Sequence, residues 1–330
     1  MSSLADINVI TPGMLSTVQD LGRGGLTHIG VGRSGAADTL SLRVGNRLVG
    51  NSDDAAAIEM TWTGGVFKFV RDSFAVLAGG DGDSRQVYGN QPDRMPRCKP
   101  KLIRAGDKIV VGPIQSGVRT YLCVAGGIDV PRVLNSRSTH LVGAFGGLSG
   151  RALRENDMLA IGKHAALAAG AEVSNRARRF CETTLSRRTL RAVIGPQHAD
   201  FSSCVMETFW RTSFEVSMQS DRAGLRLFGG IGPSALGGRM VSEGMMPGAV
   251  QVPESGEPIV LLVDHPTTGG YPVIACVAAV DHAVLGQIRP GERIQFERVT
   301  VEEARELYRS QEQALNAVIP PQADTQESVK

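Results

Sequence analysis

The stretch Ile103-Arg-Ala-Gly-Asp-Lys-Ile109 returns twice in altered form, as Leu153-Arg-Glu-Asn-Asp-Met-Leu159 and as Ile288-Arg-Pro-Gly-Glu-Arg-Ile294. Each copy has an apolar residue, an arginine, two turn residues, an acid, a variable residue and a second apolar residue. Glycine or asparagine at the fourth position suits the positive φ that a tight turn between strands requires. The pattern predicts a recurrent turn that leads into a barrel strand, and hence more than one small β-barrel.

Strand-like runs surround these turns, and each is bounded by Gly, Pro or Asp. They cover residues 65–70, 74–77, 108–111, 120–125 and 258–263. Helical patterning is scarcer. The run 38–49 has leucine or valine at every fourth position, and an amphipathic helix is expected from Thr300. The fold class predicted is therefore mainly β, with two glycine-rich barrel domains and few short helices.

The composition excludes several classes of protein. Lys plus Arg is 35 and Asp plus Glu is 33, so a net charge of +2 argues against a nucleic-acid partner. No apolar run approaches the ~18 residues of a membrane span, and the start lacks a signal peptide. The five cysteines are far apart and form no metal-binding pattern, so no metal is expected. We expect a reduced, cytoplasmic protein.

At roughly 150 residues per domain, a chain of 330 residues predicts two domains. The arginine-rich stretch 175–191 separates two glycine-rich halves, and we interpret it as a solvated linker and strand edge, with an anion-binding strip as the alternative. The predicted domains are an N-terminal β-rich domain, 1–190, and a C-terminal barrel, 191–299. Residues 300–330 are predicted to form a helix and a disordered tail.

The sequence contains no complete phosphate-binding loop. Residues 112–117 begin like one, but Val118-Arg119 stands where a lysine followed by serine or threonine is required. Ser34 and Ser149 do not lie in a nucleophile elbow either. Any ATP chemistry is therefore expected on another chain.

Three segments interleave polar residues with glycine, and they cover 17–38, 217–226 and 242–272. In the first, Gln19 offers amide donors and an acceptor, Asp20 offers a base, and Arg23 offers a fork that matches a carboxylate. Each segment taken alone is equally consistent with a loop held by Asp–Arg pairs and Asx turns. Together they indicate a small-molecule site.

These segments resemble those of the biotin-dependent carboxyltransferase family, also called allophanate hydrolase subunit 2. That family includes the carboxyltransferase part of urea amidolyase and the KipA-like C subunit of bacterial 5-oxoprolinase. The resemblance extends from Ile10 to Phe296 and rests on long ordered matches. They are residues 10–23, 125–139, 195–201, 219–227, 242–262 and 267–272. The sequence departs from the family pattern at Asn135, Pro266 and Val273.

The resemblance implies β-barrel domains of cyclophilin-like type and two partners, a sister B-type subunit and an A-type subunit. It implies a subunit of an ATP-dependent complex that cleaves 5-oxoproline to glutamate. The alternatives are carboxyl transfer from carboxybiotin to a urea-like acceptor, and a non-enzymatic KipA-like regulatory role. The chain has no biotin-attachment sequence, so no cofactor is bound covalently. ATP would be used by the complex, or biotin would be carried on a partner protein.

Both candidate reactions act on an amide-like nitrogen or carbonyl, which needs hydrogen-bond donors for oxygen and an acceptor for an N–H proton. The predicted catalytic residues are Asp221, Arg222 and Glu243. The predicted substrate-binding residues are Gln19, Asp20, Arg23, Gln251, Thr268, Gly269, Gly270 and Tyr271. The alternatives are a structural Asp221–Arg222 ion pair and core packing of Tyr271. We expect an Arg222→Ala variant to lose turnover with its melting temperature nearly unchanged.

Overall fold

The computed structural model describes residues 5–163, 170–235, 237 and 239–322. Within these ranges the strands are β1 Ile7–Thr11, β2 Leu15–Gln19, β3 Ala57–Thr61, β4 Val66–Phe69, β5 Ser73–Tyr88, β6 Gln91–Arg94, β7 Lys101–Ile103, β8 Lys108–Val124, β9 Ile128–Asp129, β10 Met158–Ile161, β11 Thr189–Ile194, β12 Phe214–Val216, β13 Gly224–Phe228, β14 Glu243–Gly244, β15 Ala249–Gln251, β16 Ile259–Leu261, β17 Thr268–Gly269, β18 Val273–Val277 and β19 Arg293–Arg298. The helices are α1 Thr39–Leu48, α2 Ala171–Leu185, α3 Ser203–Arg211, α4 His282–Leu285 and α5 Val301–Val318.

The chain divides into two compact units. The first comprises Met1–Gly22, Thr39–Glu182 and Ala314–Lys330, and the second comprises Arg23–Asp38 and Thr183–Gln313. Each unit is therefore built from segments that are distant in sequence. The domain boundaries expected from the sequence, at residues 190 and 299, stay predictions, and most of the expected disordered tail lies outside the described residues.

The first unit contains a ten-stranded sheet in the order β2-β3-β8-β4-β1-β10-β9, to which β5, β6 and β7 are added through β8. The long strand β8 allows this branching, because it pairs with β5 along its length, while its start also pairs with β4 and its end also pairs with β3. A core of aliphatic and aromatic side chains, including Ile7, Phe67, Phe69 and Ile109, is buried by the sheet.

The second unit contains a closed barrel in the order β11-β18-β15-β16-β13-β12-β19, which closes where β19 pairs in parallel with β11. Strand β19 shows why the sequence folds this way: Ile294 and Phe296 are buried while the residues between and beside them are exposed. Phe296 stacks on Phe209 of α3 with ring centroids 4.8 Å apart. The fold class predicted from the sequence, mainly β with barrel-type sheets, is confirmed.

The repeated turn forms at all three sites. Gly106, Asn156 and Gly291 have φ of 93°, 67° and 83°. In each copy the acidic side chain accepts a hydrogen bond from the backbone N–H of the arginine three residues earlier, at 3.1, 2.7 and 2.7 Å. The turns lead into β8, β10 and β19. The prediction drawn from the pattern is confirmed, and the acid has a local structural role.

The turn with asparagine provides a test of this account. We expect Asn156→Ala to lower the free energy of unfolding by about 1 kcal/mol. The reason is that alanine adopts the left-handed conformation of this turn less readily than asparagine does. Asn156→Gly should be neutral or stabilising. Urea denaturation of both variants measures this, with exposed Glu155→Ala in the same turn as the control. An unchanged midpoint for Asn156→Ala would contradict the account.

The helices predicted from residues 38–49 and from Thr300 are confirmed as α1 and α5. The interpretation of residues 175–191 as a linker is wrong for its larger part, which belongs to α2. Ser174, Ala177 and Cys181 are buried at helical spacing, and the arginines between them occupy the other faces of the helix. In the part of the chain that the structure describes, no helix has the length and apolar character needed to cross a membrane.

Candidate active site

Gln197, Glu243 and Gln251 form a cluster of amide and carboxylate side chains in the second unit, which we call the amide cluster. Gln197 Nε2 donates to Glu243 Oε2 at 3.1 Å, and Gln197 Oε1 accepts from the backbone N–H of Val273 at 3.1 Å. Val273 is paired with Gln251 between β18 and β15. The barrel strands therefore bring three side chains from separate parts of the sequence to one place.

Gly269 completes the amide cluster. Glu243 and Gly269 are partners in the two-stranded β14–β17 ribbon. A Cβ added at Gly269 would lie 2.5 Å from Gln251 Nε2 and 2.9 Å from Cγ of Met245, so a larger residue here would displace these side chains. Gln251 is 6% exposed, and its Nε2 faces the Met245 sulfur at 3.4 Å, a weak acceptor. The Nε2 group of Gln251 is thus suited to donate to a stronger acceptor than sulfur, such as a carbonyl oxygen.

The remaining residues of the 268–271 segment are neighbours of Gly269 in sequence, with Thr268 in the ribbon and Gly270 and Tyr271 after it. Thr268 is exposed and pairs with Gly244. The carbonyl of Gly270 accepts from the backbone N–H of Met240 at 2.9 Å. Tyr271 is 41% exposed, so the alternative in which it packs in the core is wrong.

Arg222 takes part in a different arrangement, which we call the Arg222 clamp. Its Nε donates to Asp264 Oδ2 at 2.7 Å, and its Nη2 donates to the carbonyl of Gly35 at 2.7 Å. Ser34 Oγ donates to Asp264 Oδ1 at 2.9 Å. The side chains of Arg222 and Asp264 are 6% and 10% exposed. A buried ion pair therefore joins three segments of the second unit.

Asp221, the neighbour of Arg222, is exposed and does not form the expected Asp221–Arg222 pair. Its Oδ1 accepts from the backbone N–H groups of Ala223 and Gly224 at 2.7 and 3.2 Å, an Asx-type turn. The alternative of a structural Asp221–Arg222 ion pair is therefore wrong, because the ion-pair partner of Arg222 is Asp264.

Asp20 is engaged inside the first unit. Its Oδ1 accepts from Gly22 N at 2.7 Å and from the hydroxyls of Ser136 and Ser138 at 2.7 and 2.5 Å, and its Oδ2 accepts from Arg137 N at 2.5 Å. This carboxylate holds the turn that contains the two serines. The role of Asp20 toward a substrate stays a prediction.

Gln19 and Arg23 flank Asp20 in sequence and are both buried, at 0% and 2% exposure. Gln19 Nε2 donates to Thr17 Oγ1 at 3.0 Å and to the carbonyl of Thr139 at 3.2 Å. Its Oε1 has no hydrogen-bond partner among the described residues. Arg23 belongs to the second unit, where its backbone N–H donates to the carbonyl of Arg33 at 2.9 Å.

Two histidines of the second unit link its stability to pH. Burial lowers the pKa of His265, which is 4% exposed and whose Nδ1 lies 2.6 Å from the carbonyl of Pro266. Burial, together with the charge of Arg33, also lowers the pKa of His282, whose Nε2 lies 3.0 Å from the carbonyl of Val277. Both imidazoles are therefore held neutral in the folded state.

At pH values between the lowered pKa values of these two histidines and the ordinary value of 6.5, the folded state therefore binds fewer protons than the unfolded state. We expect the free energy of unfolding to fall as the pH drops below 6.5, by at most about 1.4 kcal/mol per pH unit for each histidine. Urea titrations from pH 7.5 to 5.0 measure the slope. His265→Asn and His282→Gln should each flatten it, while exposed His28→Gln should not. An unchanged slope in both histidine variants would contradict the assignment of the pH dependence to His265 and His282.

Sequence reasoning missed Gln197 and Asp264 as individual residues. Both stand in or beside segments that carry the family resemblance, but a glutamine before a short helical turn and an aspartate after a strand are common in loops. Their importance follows from partners 46 and 42 residues away along the chain. Covariation between the two positions of each pair among related sequences is the signal that could have found them.

The amide cluster offers amide N–H donors and a carboxylate acceptor within one small region, which is the set that an amide or carboxyl group requires. Across the described ranges, no group of three or more His, Cys, Asp or Glu side chains is arranged to hold a metal ion. Barrel-type sheets and this cluster define a β protein suited to the chemistry of amide or carboxyl groups.

The chain belongs to the family of the carboxyltransferase domain, subdomain A and B, whose model matches residues 29–298. It is 37% identical to the C subunit of the 5-oxoprolinase of Escherichia coli over 310 residues, 93% of this chain and 95% of that protein. It is 31% identical to urea amidolyase of Lachancea kluyveri, covering 94% of this chain and 18% of that protein. These relatives are subunits or regions of enzymes.

Solved structures agree with these matches. The crystal structure of the Kluyveromyces lactis urea carboxylase is similar with a TM-score of 0.85 and 29% identity. The match covers 96% of this chain and 29% of that one, so this chain spans less than a third of the urea carboxylase. The family resemblance stated from the sequence is confirmed.

Proposed function

We propose that this chain is the C-type subunit of a complex that cleaves 5-oxoproline to glutamate with ATP, in association with A-type and B-type subunits. The observation that supports this most is the similarity to the C subunit of the Escherichia coli 5-oxoprolinase, which extends over 93% of this chain and 95% of the relative. A cytoplasmic location for such a complex stays a prediction.

In this reaction one water opens the lactam: the carbon–nitrogen bond breaks, the water oxygen goes to the carbonyl carbon, and the nitrogen leaves as an amino group. A second water cleaves ATP to ADP and phosphate, which drives the ring opening. ATP is the co-substrate of the complex, and its site is assigned to the partners.

Within this chain, Glu243 is assigned to the lactam N–H, which its carboxylate can hold or deprotonate. Gln251 is assigned to the lactam carbonyl, because its Nε2 faces a weak acceptor, the Met245 sulfur at 3.4 Å. The substrate-binding role of Thr268 and Gly269 fits their place in the β14–β17 ribbon, and that of Gly270 and Tyr271 fits their place directly after it. Arg23 remains assigned to the substrate carboxylate. Gln19 and Asp20 remain expectations.

The geometry changes the proposed roles of two other residues. Arg222 has Asp264 as a buried partner, so it is assigned to hold the loops around it in place. Asp221 is assigned to the turn that precedes β13, where its carboxylate caps two backbone N–H groups.

A second candidate function is carboxyl transfer, supported by the structural similarity to the urea carboxylase. In that case carboxybiotin would arrive on a partner protein, and the amide cluster would face the ureido group of biotin or a urea-like acceptor. A carboxyl group would pass from the biotin nitrogen to the acceptor nitrogen, which would lose a proton.

The experiment is to purify the tagged chain from its host, identify the co-purifying proteins by mass spectrometry, and assay the intact complex. We expect ADP and glutamate to be released in equal amounts only when 5-oxoproline and ATP are both present. In the same complex, Glu243→Gln should lower kcat by about 100-fold or more. Exposed Glu257→Gln is the matched control.

A biotinylated partner and biotin-dependent carboxylation of urea would favour the second candidate function instead. Recovery of the chain alone, with no turnover of 5-oxoproline after addition of separately produced A-type and B-type subunits, would contradict both enzymatic proposals. A regulatory binding role would then be the one to test.

A further inference from the structure

Gln197 follows β11 and precedes a single helical turn, His198–Asp200. Its main chain is fixed to β18, because its N–H donates to the carbonyl of Val273 at 3.3 Å. Its side chain is fixed to the same residue, since Oε1 accepts from the N–H of Val273 at 3.1 Å. Two bonds to one strand residue leave this side chain little freedom to turn.

This anchoring determines which end of the amide faces Glu243. An amide oxygen accepts and an amide nitrogen donates, so engagement of Oε1 by a backbone N–H directs the NH₂ group to the other side. There Nε2 donates to Glu243 Oε2 at 3.1 Å. In the part of the chain that the structure describes, no other hydrogen bond to this carboxylate is found.

Glu243 would be mobile without this contact. It is exposed and belongs to a strand of two residues, so neither packing nor a long hydrogen-bonded ladder holds its side chain. Gln251 is buried, and its Nε2 lies close to Gly269, the ribbon partner of Glu243. The bond from Gln197 is therefore what fixes the carboxylate relative to the glutamine.

We infer that Gln197 is a positioning residue for the reaction: its hydrogen bond to Oε2 orients the Glu243 carboxylate toward the substrate amide. The inference rests on the proposed function, in which Glu243 handles the lactam N–H. It assigns to Gln197 no contact with the substrate.

The test uses Gln197→Glu and Gln197→Met in the assembled complex, with Glu243→Gln for reference. Gln197→Glu places a second carboxyl beside Glu243. Like charges oppose ionisation, so the acidic limb of the kcat/KM profile should move up by about one pH unit or more. Gln197→Met removes the donor, and kcat should fall about tenfold with KM little changed. Exposed Gln295→Glu, which adds the same charge elsewhere on the barrel, should leave the profile where it is.

A second measurement is independent of turnover. Carbon-13 NMR of the glutamate carboxyls in the isolated chain follows the carboxyl signal of Glu243, assigned by its disappearance in Glu243→Gln. We expect this signal to shift in both Gln197 variants, because each loses the amide hydrogen bond at 3.1 Å, and to stay unchanged in Gln295→Glu. The measurement applies to the Met variant alone if the Glu variant does not fold.

The outcomes separate the two proposals. An unmoved carboxyl signal of Glu243 in the Gln197 variants overturns the positioning role, and so does an unmoved acidic limb when Glu243→Gln has lost activity; the proposed function then stands. Full activity of Glu243→Gln overturns both the assignment of Glu243 and the inference that depends on it. Absence of 5-oxoproline turnover by the wild-type complex overturns the proposed function, and the NMR signal still decides whether Gln197 positions Glu243.

Discussion

Replacement of Arg222 by alanine is expected to lower the free energy of unfolding by about 3–5 kcal/mol, because it removes one partner of a buried ion pair. The Asp264 side chain is 10% exposed and would keep the Ser34 hydroxyl, at 2.9 Å, as its donor. The carbonyl of Gly35 would also lose the Nη2 donor at 2.7 Å. Urea denaturation and the melting temperature both measure this loss.

Arg226→Ala is the matched control, because Arg226 is a nearby arginine on β13 with its side chain exposed. Its effect should stay within about 0.5 kcal/mol. The double variant Arg222→Met/Asp264→Leu should recover part of the lost stability, since no unpaired charge remains. A wild-type melting temperature for Arg222→Ala together with lost turnover would restore the expectation drawn from the sequence, that Arg222 binds substrate.

Replacement of Arg47 by alanine should cost about 3 kcal/mol and should release the end of α5. Arg47 is 2% exposed and binds Asp53 through Nε at 2.6 Å and Nη2 at 2.8 Å. Its Nη1 donates to Asn316 Oδ1 at 2.9 Å and to the carbonyl of Ile319 at 2.7 Å. One guanidinium thus joins α1 to the last turn of α5 and the residue after it.

Hydrogen exchange and limited proteolysis distinguish this from a general loss of stability. In Arg47→Ala, the amides of residues 314–319 should exchange faster, and cleavage there should precede cleavage elsewhere. Arg309→Ala, a variant of an exposed α5 residue that lies 3.7 Å from Glu306, should behave as the wild type. Unchanged protection of the α5 end in Arg47→Ala would show that Leu315, buried on that helix, holds it without the arginine.

Some parts of the fold follow from short-range patterns. The turn at Asn156 could be predicted because the constraint on φ and the bond from the acid both act within seven residues. The helix α1 could be predicted because its apolar residues recur at one period. In contrast, α2 was not predicted, since its buried residues are small and its arginines are typical of a solvated segment.

The candidate site was predicted in part. Glu243, Gln251 and Gly269 were singled out by residue type, and the structure brings them together around the β14–β17 ribbon. Gln197 was not singled out, and the partner of Arg222 was assigned to the adjacent residue in place of Asp264. Residue type indicates what a side chain can bind, but it does not indicate which of many equivalent groups will be its partner.

The sequence by itself determined the family, the mainly β fold class and the three barrel turns, because these depend on residue order and on bonds between near neighbours. Only the tertiary structure decided that Gln197 contacts Glu243, 46 residues away, and that Arg222 contacts Asp264, 42 residues away. Gln197, Arg222 and Asp264 lie in loops before or after barrel strands, and Glu243 lies in the β14–β17 ribbon. Such pairs depend on where the folded barrel places these loops, which bonds between near neighbours do not fix.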